Sequence, residues 1–217
     1  MTKIHPNASS AVACSRPEFS GGCCCCGGLP ETTVLTVWRK SLLFNGKGFT
    51  VFDAKGNLVF RVDNYASGRK EGIVLMDAAG KPLLSIRRKR LSLGDHWLIY
   101  DGEEAANPRF SARKHVNLLH SKALAHVTPC RGGGGAKGCV AAHYEIGGSY
   151  SQRCCVVYDE QRRRLAGIRR KEAVGDVAFG VDVFRLIVEP GFDASVAMAI
   201  VILLDQMFSS RGSLLKG

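Results

Sequence analysis

The stretch DASVAMAIVILLDQMF, residues 193–208, carries no polar side chain between Val196 and Leu204. A helix built from it is apolar all round, and such a helix is enclosed either by protein or by lipid. Spanning a bilayer takes about 20 apolar residues, whereas Asp205 and Gln206 interrupt this run well before that length. The stretch therefore predicts a helix buried within the protein, and the rest of the chain must enclose it.

Residue types at both ends of this run are typical of helix boundaries. Pro190 and Gly191 stop the preceding element, and Gly212 lies just beyond the run. Asp193 or Ser195 can cap the start of the helix. A closed barrel of about 11 strands or more is wide enough to enclose one helix. We therefore predict a mainly β fold in which a closed antiparallel barrel of about 12 strands surrounds the C-terminal helix.

Upstream of the helix, short runs rich in β-branched and aromatic residues alternate with turn residues, as in antiparallel hairpins. Residues 51–62 and 75–86 repeat one pattern, with Asp at the start of a tight turn and Gly at its end. This is typical of a type I turn followed by a residue at positive φ. Residues 157–168 form a third copy in which Arg162 replaces the Gly.

Further strands are predicted along the second half of the chain, and a helical period over His115–His126 is the weaker alternative there. These strands are His96–Asp101, Arg109–His115, Cys139–Ile146, Arg153–Tyr158 and Val181–Val188.

Residues 1–31 lack an apolar period and are rich in Pro, Gly, Ser and Cys, so we predict a disordered leader. The barrel is expected over residues 32–210, with its helix at about 193–208 and a tail at 211–217. The start of the chain has no secretory signal pattern, so we expect an intracellular, cytoplasmic protein whose nine cysteines are reduced.

The chain carries 30 Lys and Arg against 19 Asp and Glu, a net charge of +11. This balance favours anionic partners, namely phosphorylated lipid headgroups, nucleic acid or acidic protein surfaces. Two basic steps follow matching hairpins and are expected to form a cationic rim, since guanidinium groups bind phosphate through two hydrogen bonds. The predicted anionic lipid-binding residues are Arg87, Arg88, Lys89, Arg90, Arg169, Arg170 and Lys171.

Four consecutive cysteines, Cys23, Cys24, Cys25 and Cys26, lie in the leader. Adjacent cysteines cannot all reach one metal in tetrahedral geometry, because structural zinc sites space their ligands by about two to four residues. Thioester-linked fatty chains need only exposed thiols near a membrane. We hypothesise S-acylation here, against the alternative of an inert, reduced leader.

Catalytic and metal patterns are missing from the sequence. The histidines give neither HExxH nor a zinc spacing, and no Ser, His and acidic residue can be assigned to a triad. We therefore expect neither an enzyme nor a protein with a metal or cofactor. Aromatic residues do not interleave with the basic steps, which disfavours nucleic acid as the partner.

Several hairpin motifs together resemble the plant LURP-one-related family over roughly residues 32–210. The motifs are Leu35–Leu42, Gly48–Asp53, Leu58–Asp63, Leu75–Leu84 and Leu91–Trp97. The resemblance implies a tubby-like fold, a 12-stranded antiparallel barrel around a hydrophobic C-terminal helix, shared with tubby domains and phospholipid scramblases. This implied fold agrees with the barrel predicted from the residue pattern.

The resemblance also implies functions. The family is associated with plant defence, tubby relatives bind phosphoinositides and tether transcription regulators to membranes, and scramblases move lipids. A cysteine run like 23–26 is a palmitoylation site in scramblases. We therefore expect a non-enzymatic protein that docks on acidic membrane lipids, with a peripheral membrane or nuclear pool. The alternatives are scramblase-like lipid translocation, against which stand a missing calcium-loop pattern and the short apolar run, and a nucleic-acid-binding regulator.

Overall fold

The computed structural model describes residues 31–40, 48–65, 72–89, 92, 94–103, 106–115, 123–130, 143–173 and 179–209. The predicted leader, the acylation candidates Cys23–Cys26, Arg90 and the tail lie outside these ranges. Within them, twelve strands form a closed antiparallel barrel around one helix, α1, Ala194–Phe208. The predicted fold is therefore confirmed.

The strands follow one another around the barrel in chain order. They are β1 Thr33–Trp38, β2 Gly48–Phe52, β3 Leu58–Tyr65, β4 Gly72–Asp77, β5 Pro82–Arg88, β6 His96–Asp101, β7 Pro108–Lys114, β8 Ala123–Pro129, β9 Tyr144–Ser149, β10 Cys154–Tyr158, β11 Arg164–Arg170 and β12 Val183–Val188. Each strand pairs with its sequence neighbours, and β1 pairs with β12 to close the barrel. Because neighbouring strands alternate in direction, all odd-numbered strands end at the same end of the barrel.

That end, which we call the upper end, is also where α1 ends. The helix follows β12, which finishes at the opposite, lower end, and runs back up along the barrel axis. Its first turn is capped by the Asp193 carboxylate, which accepts a hydrogen bond of 2.8 Å from the Ser195 backbone N–H. Residues 196–205 are buried, as expected for a helix that is apolar all round.

Hairpin turns at the lower end confirm the repeated turn chemistry. The Asp53 carboxylate accepts hydrogen bonds of 2.8 Å from the backbone N–H groups of Lys55 and Asn57, and Gly56 has a φ of 85°. The side-chain hydrogen bond from Asn57, aided by these backbone donors, holds the pKa of Asp53 below its usual value. In the third copy Arg162 adopts the same left-handed conformation, with a φ of 62°.

Strand boundaries differ slightly from the predicted ones. Strand β10 begins at Cys154 because Arg153 has a φ of 52°, which no extended strand accommodates. Strand β9 extends to Ser149, whereas residues 139–142 of its predicted start lie outside the described ranges. The helical alternative is wrong for residues 123–126, which belong to β8.

One cysteine of the 154–155 pair faces the core, as strand alternation requires. The Cys154 side chain is exposed and that of Cys155 is buried among the apolar residues inside the barrel. Burial, with a smaller contribution from Cys154, raises the pKa of the Cys155 thiol to about 12.

The buried thiol predicts a loss of stability at alkaline pH. The folded-state pKa of Cys155 lies above the ordinary value of 9.0. The contribution of this thiol to the free energy of unfolding is therefore complete below pH 9 and is lost as the pH rises towards 12. Between pH 8 and 10.5 we expect the free energy of unfolding in urea to fall by about 2 kcal/mol from this group. Cys155→Ala should fall less steeply with pH than the wild type. Equal slopes for the two proteins would contradict the assignment.

Candidate anion-binding surface

The two basic steps lie at the same end of the barrel but on opposite sides of it. Strands β5 and β11 both end at the upper end, where the first step begins with Arg87 and the second with Arg169. In the closed barrel five strands separate β5 from β11 in either direction. The two steps therefore lie at one level of the barrel but do not form one patch.

Much of the first basic step is engaged within the protein. The half-buried Arg87 side chain lies 6.0 Å from the centre of the Tyr100 ring, and its Nη2 donates a hydrogen bond of 3.3 Å to the Glu103 carbonyl. Arg88 forms an ion pair of 3.0 Å with Asp95. Lys89 is exposed. Arginine stems commonly cover apolar surface, as that of Arg87 does beside Tyr100. Because the guanidinium groups of Arg87 and Arg88 have partners within the protein, this side of the barrel offers fewer free cations than its sequence suggests.

The second basic step divides into exposed and buried parts. Arg169 and Arg170 are exposed, and Arg170 Nε donates a hydrogen bond of 3.1 Å to the Gln152 carbonyl. Lys171 is 9% exposed, with its Nζ 3.4 Å from Thr36 Oγ1. Burial, and then the nearby Arg185, lowers the pKa of Lys171. The expected place of Lys171 on the rim is therefore wrong, because β11 ends at Arg170 and strand alternation no longer sets its direction.

Arg185 belongs to no basic run in the sequence. It stands alone between Phe184 and Leu186 on β12, yet the register places it directly opposite Arg169 on β11 and Thr36 on β1. Its Nη1 lies 3.7 Å from Glu172 Oε2, and 38% of its side chain is exposed. Only the strand register could reveal this pair of arginines.

Exposed apolar side chains lie on the same side of the barrel. Trp38, which is 40% exposed, ends β1 opposite Val183 on β12. Val34, 38% exposed, lies near the start of β1, and Val181, 51% exposed, lies in the turn before β12. We call the outer surface of β1, β12 and β11, with these side chains and Arg169 and Arg185, the β1–β12–β11 wall.

A polar network closes the upper end beneath this wall. The Asp205 carboxylate accepts an ion-paired hydrogen bond of 2.9 Å from Arg39 Nε and hydrogen bonds from the Tyr150 hydroxyl and Ser209 Oγ, at 3.1 and 2.6 Å. Burial and the adjacent Asp205 charge raise the pKa of Tyr150 well above its usual value. Lys114 Nζ donates a hydrogen bond of 2.9 Å to the Met207 carbonyl at the helix C-terminus. These contacts explain why Asp205 interrupts the apolar run.

This network predicts a graded response to substitution of Asp205. Asp205→Leu removes the acceptor of the Tyr150 hydroxyl and leaves Arg39 the more distant Asp182 carboxylate, 3.6 Å away. It should lower the free energy of unfolding by about 2–3 kcal/mol, less than for a fully buried pair because Arg39 is partly exposed. Asp205→Asn keeps an acceptor and should lose about half as much. Urea denaturation at pH 7 measures both. A Leu variant as stable as the wild type would contradict this role.

Three histidine rings lie close together on the outer surface of β7–β9, although their spacing in the sequence predicts no cluster. The ring centres of His115 and His126 are 5.3 Å apart, and those of His126 and His143 are 5.8 Å apart. Burial lowers the pKa of His126, with Glu145 opposing this and the neighbouring histidines adding to it. Within the described ranges, no group of three or more His, Cys, Asp or Glu residues is placed to hold a metal ion.

A cleft of about 350 Å³ opens at the lower end, outside the barrel interior. Tyr144 and Phe192 form its aromatic wall, with ring centres 5.4 Å apart. Its carboxylate Asp159 accepts hydrogen bonds from the Arg163 backbone N–H and Nε, at 2.8 and 2.7 Å. These bonds hold Asp159 in the turn, which disfavours it as a general base.

Comparisons with known proteins agree with this architecture. The LURP-one-related family profile matches residues 33–205, which span the barrel and most of the helix. The chain belongs to the LURP-one-related family. Protein LURP-one-related 8 of Arabidopsis thaliana is 51% identical over 97% of this chain and 100% of its own length, and LURP-one-related 17 of the same plant is 40% identical over 94% and 91%.

A solved structure supports the fold of this LURP-one-related chain. An X-ray structure of a protein from Arabidopsis thaliana aligns with a TM-score of 0.57 and 24% identity, covering 82% of this chain and 92% of that one. At this identity the likeness concerns the fold alone. In the part of the chain that the structure describes, no helix has both the length and the apolar character needed to cross a membrane.

Proposed function

We propose that this LURP-one-related protein is a non-enzymatic module that docks on anionic membrane lipids, phosphoinositides among them, through the β1–β12–β11 wall. The observation that carries the proposal is the cross-strand pair of Arg169 and Arg185. Arg169 is exposed and Arg185 half-buried. Like charges directly opposite each other on a sheet are unfavourable, and an anion bound between them would relieve the repulsion. A phosphate group can accept hydrogen bonds from both guanidinium groups at once.

The opposite placement of the basic steps favours docking through one wall. A flat membrane that contacts the side of a closed barrel reaches only one of the two steps. On the β5 side, Arg87 is engaged with the Glu103 backbone carbonyl and Arg88 with the Asp95 carboxylate. The β11 side keeps Arg169 exposed. Among the described residues, the only carboxylate paired with Arg185 is that of Glu172, whose Oε2 lies 3.7 Å from Arg185 Nη1. The Glu172 side chain is 82% exposed, so solvent strongly screens this ion pair.

Acylation of the leader is the second part of the proposal. Strand β1 begins at Thr33 on this same wall, and Cys23–Cys26 precede it by at most ten positions. From Cys26 a fully extended chain reaches at most about 25 Å, so fatty chains there would act close to the wall. One weak anchor gives only reversible attachment, which is why two signals suit stable docking. Loss of the thioester label in a variant with all four cysteines changed to Ala would support acylation, and persistence of the label would exclude it at these positions.

Vesicle sedimentation of the purified protein tests the docking. We expect binding to phosphatidylserine or phosphoinositide vesicles and none to neutral vesicles, with duplex DNA competing poorly. Arg169→Ala/Arg185→Ala should weaken binding by tenfold or more, roughly the effect of losing two phosphate contacts. Arg87→Ala/Arg88→Ala removes the same formal charge from the opposite side and serves as the matched control. Equal losses in both variants would reject the wall as the docking face, and no binding by the wild type would reject lipid docking.

The placement of α1 weighs against scramblase-like translocation. That activity would require the helix to leave the barrel, breaking the Arg39–Asp205 ion pair and carrying Asp205 into lipid. We extend the docking proposal to a link with plant defence and to the tethering of a transcription regulator to the membrane. The family resemblance is the only support for these two roles.

A further inference from the structure

The exposed apolar side chains of this barrel lie on one wall. Among the residues that the structure describes, the large hydrophobic side chains that are exposed are Val34, Trp38 and Val181. All three belong to β1 or to the turn before β12, so they share the wall that carries Arg169 and Arg185. Singly exposed apolar residues need no explanation, but their collection beside paired cations does.

Trp38 and Val181 form an edge at the upper end of this wall. The backbone N–H of Arg39 donates a hydrogen bond of 2.7 Å to the Asp182 carbonyl, which ties the end of β1 to the turn containing Val181. The Trp38 ring stands opposite Val183, and 40% of the residue remains in solvent. Lys40 Nζ lies 5.7 Å from the ring centre, so a cation lies beside the indole.

The chemistry of this edge fits the interfacial region of an anionic bilayer. Indole rings concentrate at the headgroup level of membranes, where an apolar body and a polar N–H are both accommodated. Lys and Arg beside them find anionic headgroups at the same depth. A nucleic-acid partner would not require the aliphatic Val181, and an apolar protein groove would not favour the surrounding cations.

We propose that Trp38 and Val181 insert into the headgroup and upper acyl region of anionic membranes while Arg169 and Arg185 engage lipid phosphates. This inference rests on the proposed docking function and adds the depth and orientation of binding. The barrel would approach with the β1–β12–β11 wall against the lipid and its upper end tilted inward. The apolar edge supplies attraction that salt does not screen, in contrast to the arginine pair.

Tryptophan fluorescence tests the insertion, because the chain contains two tryptophans, Trp38 and the buried Trp97. Trp97→Phe leaves Trp38 as the sole reporter. On adding phosphatidylserine vesicles we expect a blue shift of its emission and quenching by lipids brominated on the upper acyl chain. Trp38→Phe leaves only Trp97, and neither effect should occur in this control. Sedimentation of the Trp97→Phe protein with vesicles, without shift or quenching, would overturn the insertion and leave lipid docking intact.

Binding strength provides the second readout. Val181→Asp places a charge at the exposed edge and should weaken vesicle binding about tenfold with an unchanged circular dichroism spectrum. The matched control is Val34→Asp, on the same wall but near the lower end, where we expect a smaller loss. If Val181→Asp bound vesicles as strongly as the wild type, the proposed insertion of the Trp38–Val181 edge would be overturned. Failure of the wild type to bind any vesicle would overturn the docking proposal itself, and the two failures are thus distinguishable.

Discussion

An Ile200→Asp variant is expected to lose the folded state. Ile200 is 1% exposed at the middle of α1, surrounded by side chains from the whole barrel. An unpaired carboxylate there cannot be hydrated, and its burial costs several kcal/mol in addition to the lost apolar contacts. That sum is comparable with the total stability of a typical domain, about 5–15 kcal/mol. Circular dichroism and amide NMR dispersion at pH 7 measure the outcome, and Leu203→Asp should behave alike.

Ile200→Val is the control for this prediction, because it removes one methylene group and keeps the site apolar. It should lower the free energy of unfolding by about 1 kcal/mol and leave the spectra unchanged. A soluble Ile200→Asp protein with native spectra would mean that α1 lies outside the barrel, and it would overturn the architecture as well as the prediction.

Gly148→Ala should destabilise the barrel by about 3 kcal/mol or more. Gly148 has a φ of 108°, a conformation that residues with a Cβ rarely adopt. An added Cβ would overlap the Cys154 carbonyl oxygen and come within 3.0 Å of Cys155 Cα, both backbone atoms of the paired strand. Since backbone in a closed ladder cannot yield as a flexible side chain does, β9 and β10 must separate locally. Urea denaturation gives the loss directly.

Gly180→Ala is the matched control, because a Cβ at that position meets no atom within 4 Å. Its effect on stability should stay within about 0.5 kcal/mol. If Gly148→Ala were as stable as this control, the close approach of β9 and β10 at Gly148 would be wrong.

Local rules account for most of the fold that the sequence predicted. The uninterrupted apolar run of residues 196–204 is too short to cross a bilayer. A helix that is apolar all round must then be buried in protein, here inside a closed sheet. The Asp53 carboxylate and the positive φ of Gly56 determine their hairpin turn, the first through hydrogen bonds and the second through conformational freedom, all within five residues. Cys155 faces inward because strand alternation sets its direction from its neighbours. Each of these features depends on residues close in sequence.

The candidate site depends instead on residues far apart in sequence. The basic steps are visible as charge runs, but whether a charge is free depends on tertiary partners. Lys171 demonstrates this, because it is buried with its Nζ 3.4 Å from Thr36 Oγ1, 135 positions away in sequence. Strand register brings Arg185 opposite Arg169, and barrel closure between β1 and β12 places Trp38 on their wall.

A barrel around a buried helix, its repeated turns and its basic character could be predicted from the residues alone, because hydrophobic periodicity and turn chemistry act locally. The folded barrel was needed to show which cations remain exposed, that the two basic steps face opposite ways, and that Asp205 is held by Arg39 and Tyr150. Barrel closure and strand register set these neighbours, since a register shift of one residue would turn every side chain of a strand to the other face.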